Sequence, residues 1–214
     1  MSTLVNETRN ADFLSQITAL AIGKTVVWDF DGVVADTEPL QDASYRVLTE
    51  RRGWSPREGY FIELVGRTEE QIWQSLAHDG FPLIDEITEL KAERMQVFIE
   101  LTATALKPSW LARELMPMLE GIAHRQVIVS NGDPDVIEKL LLRWGLLQFV
   151  AVARRSPGRD KAELLNESCH PGSVLLEDNR GWLAQGRELG ATTIGVFHGY
   201  NRASKLDADY LVEL

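Results

Sequence analysis

The chain has a single cysteine, Cys169, so an intramolecular disulfide is excluded and no second thiol exists for a zinc site. Long apolar runs are missing too. Stretches such as Thr25–Trp28 and Val174–Leu176 fall far short of the ~18 consecutive apolar residues that a membrane span needs. The opening MSTLVNETRNADFLSQ has neither a basic start nor an uninterrupted apolar segment, so it does not read as a secretory signal. A cytoplasmic protein without a membrane partner is expected. Positive charge is also scarce: 22 Lys+Arg against 32 Asp+Glu leave a formal charge of −10, which argues against neutralising the phosphates of a nucleic acid. Repeats, low-complexity tracts, Walker-type loops and GxGxxG loops are absent, which removes the main nucleotide-binding readings. What remains is 214 residues at 44% hydrophobic and 25% charged, enough for one substantial core or a core plus a smaller lobe. A monomer is the default expectation.

The order of elements carries more. Residues 25–30 (TVVWDF) are β-branched and apolar and end in an acidic, glycine-containing turn, the pattern of a buried parallel strand. Similar runs recur at 126–130, 149–153, 173–176 and 192–196, each separated from the next by a helical pattern. The clearest helix follows Gly132: Asp133 can cap, Pro134 suits the first turn, an apolar face runs from Val136 to Trp144, and Gly145 ends it. Others are predicted over 159–168 and 181–189, with Gly190 as a stop. This alternation predicts a doubly wound, Rossmann-like parallel α/β sheet. Between the first strand and the rest, 40–50, 69–78 and 83–101 show helical spacing with no strand. Residues 37–102 therefore read as an inserted helical domain, with Tyr45, Leu48, Ile72, Trp73, Leu76, Ile87, Leu90 and Phe98 as its core. Residues 1–36 and 103–214 form the sheet domain, whose ligand belongs at the carboxyl edge of the strands.

That edge collects chemistry. The segment Asp29-Phe30-Asp31-Gly32-Val33-Val34-Ala35-Asp36-Thr37 places two carboxylates two residues apart, on one side of extended chain, where one can act on a substrate atom and the other handle a proton. A polar turn capping a strand is the plain alternative for an isolated Asp-x-Asp, but three further segments share the edge. These are Ser130-Asn131-Gly132, Lys161, and Glu177-Asp178-Asn179. A hydroxyl, an amide turn and an ammonium suit an anion, and acidic groups facing the aspartates suit a hard cation. Phosphate with Mg²⁺ fits the set, since a carboxylate approaching a phosphate dianion needs positive charge nearby.

With these four segments the sequence resembles the haloacid dehalogenase superfamily over residues 25–200. The similarity is greatest to the β-phosphoglucomutase-like phosphatases with a helical cap, whose first loop often reads like Asp36-Thr37-Glu38-Pro39-Leu40. The resemblance implies a Mg²⁺-dependent phosphatase acting on a small phosphorylated metabolite, a sugar or polyol phosphate, through an aspartyl-phosphate. It makes Asp29 the nucleophile and Asp31 the acid and base, and it puts the phosphoryl group on Ser130, Asn131 and Lys161. The metal would fall to Asp29, Asp31 through its carbonyl, Asp178 and Glu177. Lys161 lacks the proline that commonly follows it, and Arg159 is an alternative. In the cap, Gly66 and Arg67 match a substrate-contacting loop, a helix start capped by Thr68 being the other reading. Gln41 stands where sugar-phosphate members often carry histidine, which favours hydrolysis over a phosphohexomutase cycle. A non-catalytic phosphate- or metal-binding regulator would not need both the nucleophile and the acid. His78, His124, His170 and His198 show no metal-ligand spacing and are expected at the surface or in turns, Cys169 gets no role, and Trp28 is a candidate for the pocket floor.

Overall fold

The computed structural model describes residues 2–64, 69–81, 86–154, 160–201 and 205–214. Gly66, Arg67 and Arg159 lie outside the described residues, and so does Thr68. Along the described chain the elements run α1 (Ser2–Ala21), β1 (Thr25–Trp28), α2 (Glu38–Arg51), α3 (Glu69–His78), α4 (Ile87–Ala105), α5 (Trp110–Met118), β2 (Arg125–Ile128), α6 (Pro134–Arg143), β3 (Ala151–Val152), α7 (Lys161–Ser168), β4 (Val174–Glu177), α8 (Arg180–Glu188), β5 (Thr192–Phe197) and β6 (Tyr210–Glu213). No helix among the described residues is long and apolar enough to cross a membrane.

All six strands are parallel, in the order β3-β2-β1-β4-β5-β6. The central strand β1 is buried throughout, which its continuous apolar run requires of a strand covered on both faces. Trp28 pairs with Ile128 on one side and Leu176 on the other, and the Asp29 N–H continues the ladder by donating to the Leu176 carbonyl at 2.9 Å. Strand order reverses between β1 and β4, so the crevice at their carboxyl ends is the topological switch point, where open α/β sheets take ligands.

Three of the turns leaving this edge start a helix with a side-chain cap. Asp133 accepts from the Asp135 and Val136 N–H groups, Asp160 from Glu163, and Asn179 from Gly181 and Trp182. Each cap satisfies amides that the first turn would otherwise leave unpaired. Gly145 and Gly190 end α6 and α8 with φ of 70° and 83°, conformations that glycine alone adopts cheaply.

The chain divides into two compact units, Met1–Asp36 with Lys107–Leu214, and Thr37–Leu106. In the sheet unit, Val27, Val127, Val129, Leu164, Leu165 and Leu175 join one core. In the helical unit the core is aromatic: Tyr45, Tyr60, Phe61, Trp73 and Phe81 pack with Leu48, Leu64, Leu76 and Leu90. Tyr45 stacks on Phe61 at 5.2 Å between centroids, and Ile72 and Ile87 pack at the border.

Several boundaries differ from the sequence expectation. The third strand covers only two residues, because 147–149 turn as a 3₁₀ segment. α4 ends at Ala105 rather than 101, which carries the helical unit past residue 102. Three elements were not anticipated: α1, α5 and the edge strand β6. Trp28 serves packing, since it is fully buried and its indole N–H donates to Gln126 Oε1 at 3.2 Å.

Leu165 is fully buried on α7, in the core that fixes this helix against the sheet. Leu165→Ala is expected to cost about 2–5 kcal/mol of stability by transfer and cavity terms together. Urea unfolding checks this, and a loss under ~1 kcal/mol would show that α7 is not held by this contact.

Candidate active site

The centre of the edge is an ion triad. Lys161 Nζ lies 2.8 Å from Asp29 Oδ2 and 2.7 Å from Glu177 Oε2. All three residues are buried. Asp29 follows β1, Glu177 ends β4, and Lys161 is the first residue of α7, placed there by the Asp160 cap. The Trp182 ring lies 5.4 Å from the ammonium and gives it a polarisable wall.

Two carboxylates share one ammonium, so the triad is one positive charge short. Burial first, and then the Glu177 charge, push the Asp29 carboxyl up to about 8, with Lys161 pulling the other way. Burial raises Glu177 as well, against the pull of Lys161. For Lys161, burial alone would lower the pKa, but the two carboxylates outweigh it and hold the group above its ordinary value. The ammonium therefore stays charged while the acids resist ionising together.

Glu177 is the most committed of the acids. Its Oε2 accepts from Lys161, and its Oε1 accepts from the backbone N–H groups of Asp178 and Asn179 at 3.1 and 3.0 Å. Asp29 Oδ1 accepts from the Phe30 N–H at 2.7 Å. Asp29, Glu177 and Asp178 each offer one oxygen within 4.8 Å of the others. Hard oxygen donors at this spacing, around an uncompensated negative charge, fit a divalent cation such as Mg²⁺. Asp178 is the most open of the three, being only partly buried, whereas both oxygens of Asp29 hold one partner each and Glu177 accepts from three donors.

The loop from Asp29 folds back tightly. The Gly32 N–H donates to the Ala35 carbonyl at 2.8 Å, and the Phe30 carbonyl accepts from Val34 and Ala35. Gly32 has φ of +74°, and a Cβ there would stand 2.5 Å from Asp178 Oδ2. Glycine thus permits both the turn and the close approach of the acid. Across the edge, Ser130 Oγ donates to Asp31 Oδ2 at 3.2 Å and accepts from the Gly132 N–H at 2.9 Å. Ser130 is buried and Asn131 is exposed on the same turn.

The structure thus brings Asp29, Lys161, Glu177 and Asp178 together and ties Asp31 to Ser130. Cys169 is buried at the end of α7, and burial pushes its thiol up to about 11, which leaves it inert near neutral pH. His78, His124 and His170 are exposed; His198 opens the turn after β5, as expected of a turn group, but it is not at the surface. It is 3% exposed, with Nε2 2.8 Å from Asp178 Oδ2. The available signal was positional: His198 directly follows β5, at the same sheet edge as Asp29, Ser130 and Asp178.

No protein-family model matches the sequence, and a search of curated proteins returns no match. Solved structures do match. A haloacid dehalogenase-like hydrolase from Streptococcus pneumoniae superposes with a TM-score of 0.72 at 14% identity, covering 88% of this chain and 93% of that one. CbbY from Rhodobacter sphaeroides, solved with xylulose-(1,5)bisphosphate, gives 0.68 at 20% identity, with coverage of 89% and 94%. The haloacid dehalogenase-type protein YfnB from Bacillus subtilis, solved with magnesium, gives 0.61 at 17%, with coverage of 89% and 94%. The chain has the haloacid dehalogenase-like fold.

The Asp29 shift sets a sign. Its folded pKa lies above the unfolded value of 3.8, so protonation contributes stability fully present below 3.8 and lost as pH rises through about 8. With metal removed by chelator, the wild type should lose stability relative to Asp29→Asn across that window. Parallel unfolding free energies for the two proteins from pH 4 to pH 8 would contradict it.

Proposed function

We propose that the chain is a Mg²⁺-dependent phosphatase of small phosphorylated metabolites, sugar or polyol phosphates being the favoured class, with the sheet unit as catalytic domain and the helical unit as cap. One observation carries the reading: a buried aspartate at the switch point, paired to a buried lysine and adjoining two further acids. A structural ion pair would need one acid for one lysine; the surplus acid serves a cation. The likeness to CbbY, solved with a sugar bisphosphate, supports the substrate class.

In the first step an Asp29 carboxylate oxygen attacks phosphorus, and the bond from phosphorus to the substrate oxygen breaks. Asp31 gives its proton to the departing oxygen, and the alcohol leaves. In the second step Asp31 takes a proton from water, the water oxygen attacks the phosphorus of the aspartyl-phosphate, and Asp29 is released with inorganic phosphate. Ser130 orients Asp31 in the resting protein and donates to a phosphoryl oxygen once substrate is bound, with Asn131 beside it. Lys161 offsets phosphoryl charge and keeps Asp29 directed. Mg²⁺, held by Asp29, Asp178 and the Asp31 carbonyl, would neutralise the charge that otherwise repels the nucleophile. Glu177 holds Lys161 and the Asp178 backbone in place.

Hydrolysis is favoured over a mutase cycle by Gln41. Its side-chain oxygen accepts from Arg94 Nη1 at 2.7 Å within the helical unit, and an amide cannot shuttle protons as an imidazole does.

The test is phosphate release from an aryl phosphate, then from a sugar-phosphate panel that includes β-glucose 1-phosphate, with Mg²⁺ and with chelator. Metal-dependent turnover is expected, falling about 10³-fold or more in Asp29→Asn and about 10²–10⁴-fold in Asp31→Asn. Interconversion of the 1- and 6-phosphates without phosphate release would favour the mutase, and inertness on every substrate would favour a binding protein.

A further inference from the structure

Both ring nitrogens of His198 have a defined partner. The Tyr200 backbone N–H donates to Nδ1 at 3.4 Å, so Nδ1 accepts and the proton belongs on Nε2. Nε2 in turn is 2.8 Å from Asp178 Oδ2 and donates to it. Asp36 Oδ1 lies 4.0 Å from Nδ1, outside hydrogen-bond reach. The turn after β5 grips Asp178 a second time. Asn201 Oδ1 accepts from the His198 N–H at 2.8 Å, while Asn201 Nδ2 donates to the carbonyls of Val196 at 2.9 Å and Asp178 at 3.2 Å. A Cβ on Gly32 would come within 2.8 Å of His198 Nε2 as well as 2.5 Å of Asp178 Oδ2. The Asp178–His198 pair therefore packs against the loop that carries Asp29 and Asp31.

We propose that His198 is a positioning residue for the metal site: its Nε2–H fixes Asp178 Oδ2 so that the other oxygen of Asp178 is held ready for the cation. The inference rests on the Mg²⁺ reading above and adds the group that orients a ligand. A buried ring N–H must find an acceptor; here the acceptor is the acid of the candidate metal site, and Asn201 holds the same residue's carbonyl, so the contact bears on that acid's orientation. Partners of this kind set ligand orientation and typically change metal affinity by 10–100-fold when removed.

The test is Mg²⁺ binding by calorimetry to the full chain without substrate. It compares wild type with His198→Gln and His198→Met, two side chains of similar length of which only glutamine keeps an N–H donor. Gln should bind within about 3-fold of wild type, whereas Met should bind 10–100-fold more weakly at a similar metal-free melting temperature. Met binding as tightly as Gln would overturn the proposal and leave the phosphatase reading standing. A wild type that binds no Mg²⁺ would end both. Should Met not fold, ¹⁵N spectra of the chelated wild type decide, with the His198 signals assigned by their loss in the Gln variant. A proton on Nε2 is expected, and a bare Nε2 would overturn the inference.

Discussion

The contact on which the site depends is the buried bridge from Lys161 to Asp29 and Glu177. Burying three charged groups costs several kcal/mol each unless they are paired and hydrogen-bonded. Here the ammonium satisfies both acids, and backbone N–H groups take much of what remains. The bridge joins three elements distant in sequence: the end of β1, the end of β4 and the start of α7. Removing Lys161 would leave two buried carboxylates facing one another, so this residue matters to assembly of the edge. The deficit of one positive charge makes the site receptive to a cation.

The parallel sheet explains why so many separate segments can converge. Each strand delivers its last residue to one edge, and after β2, β3 and β4 a capped helix carries the chain away. Register then does the placing: Trp28 beside Leu176 sets Asp29 next to Glu177, and Ile128 beside Trp28 brings Ser130 within reach of Asp31. Single-residue slips in β4 would exchange the sides of Glu177 and Asp178, so the apolar residues that hold register also hold the chemistry.

Much of this was legible because parallel strands are read from short β-branched runs and their helices from caps. Asp133, Pro134 and Gly145 mark α6 almost to the residue, and the two aspartates after β1 stand out by type. The elements missed lack such marks. β6 is a four-residue edge strand with one buried position, and α5 opens on Ser109 but carries Pro117 inside it. His198 escaped for a different reason. A search by metal-ligand spacing looks for residues close in sequence, while His198 meets Asp178 from a neighbouring strand, 20 residues on. Position at the carboxyl edge is the better guide in a sheet of this kind.

Glu177 and Asp178 show how adjacent acids part. In the sequence they form one acidic pair, equal candidates for a metal. Glu177 is the last residue of β4 and Asp178 the first beyond it, and burial parts them: Glu177 is wholly enclosed and Asp178 partly open. The longer glutamate reaches Lys161 with one oxygen and turns the other back on the amides of residues 178 and 179. An aspartate at 177 would be one methylene too short to make both. An enclosed acid with this many donors is an anchor, and the shorter one, in contact with His198, stays more open.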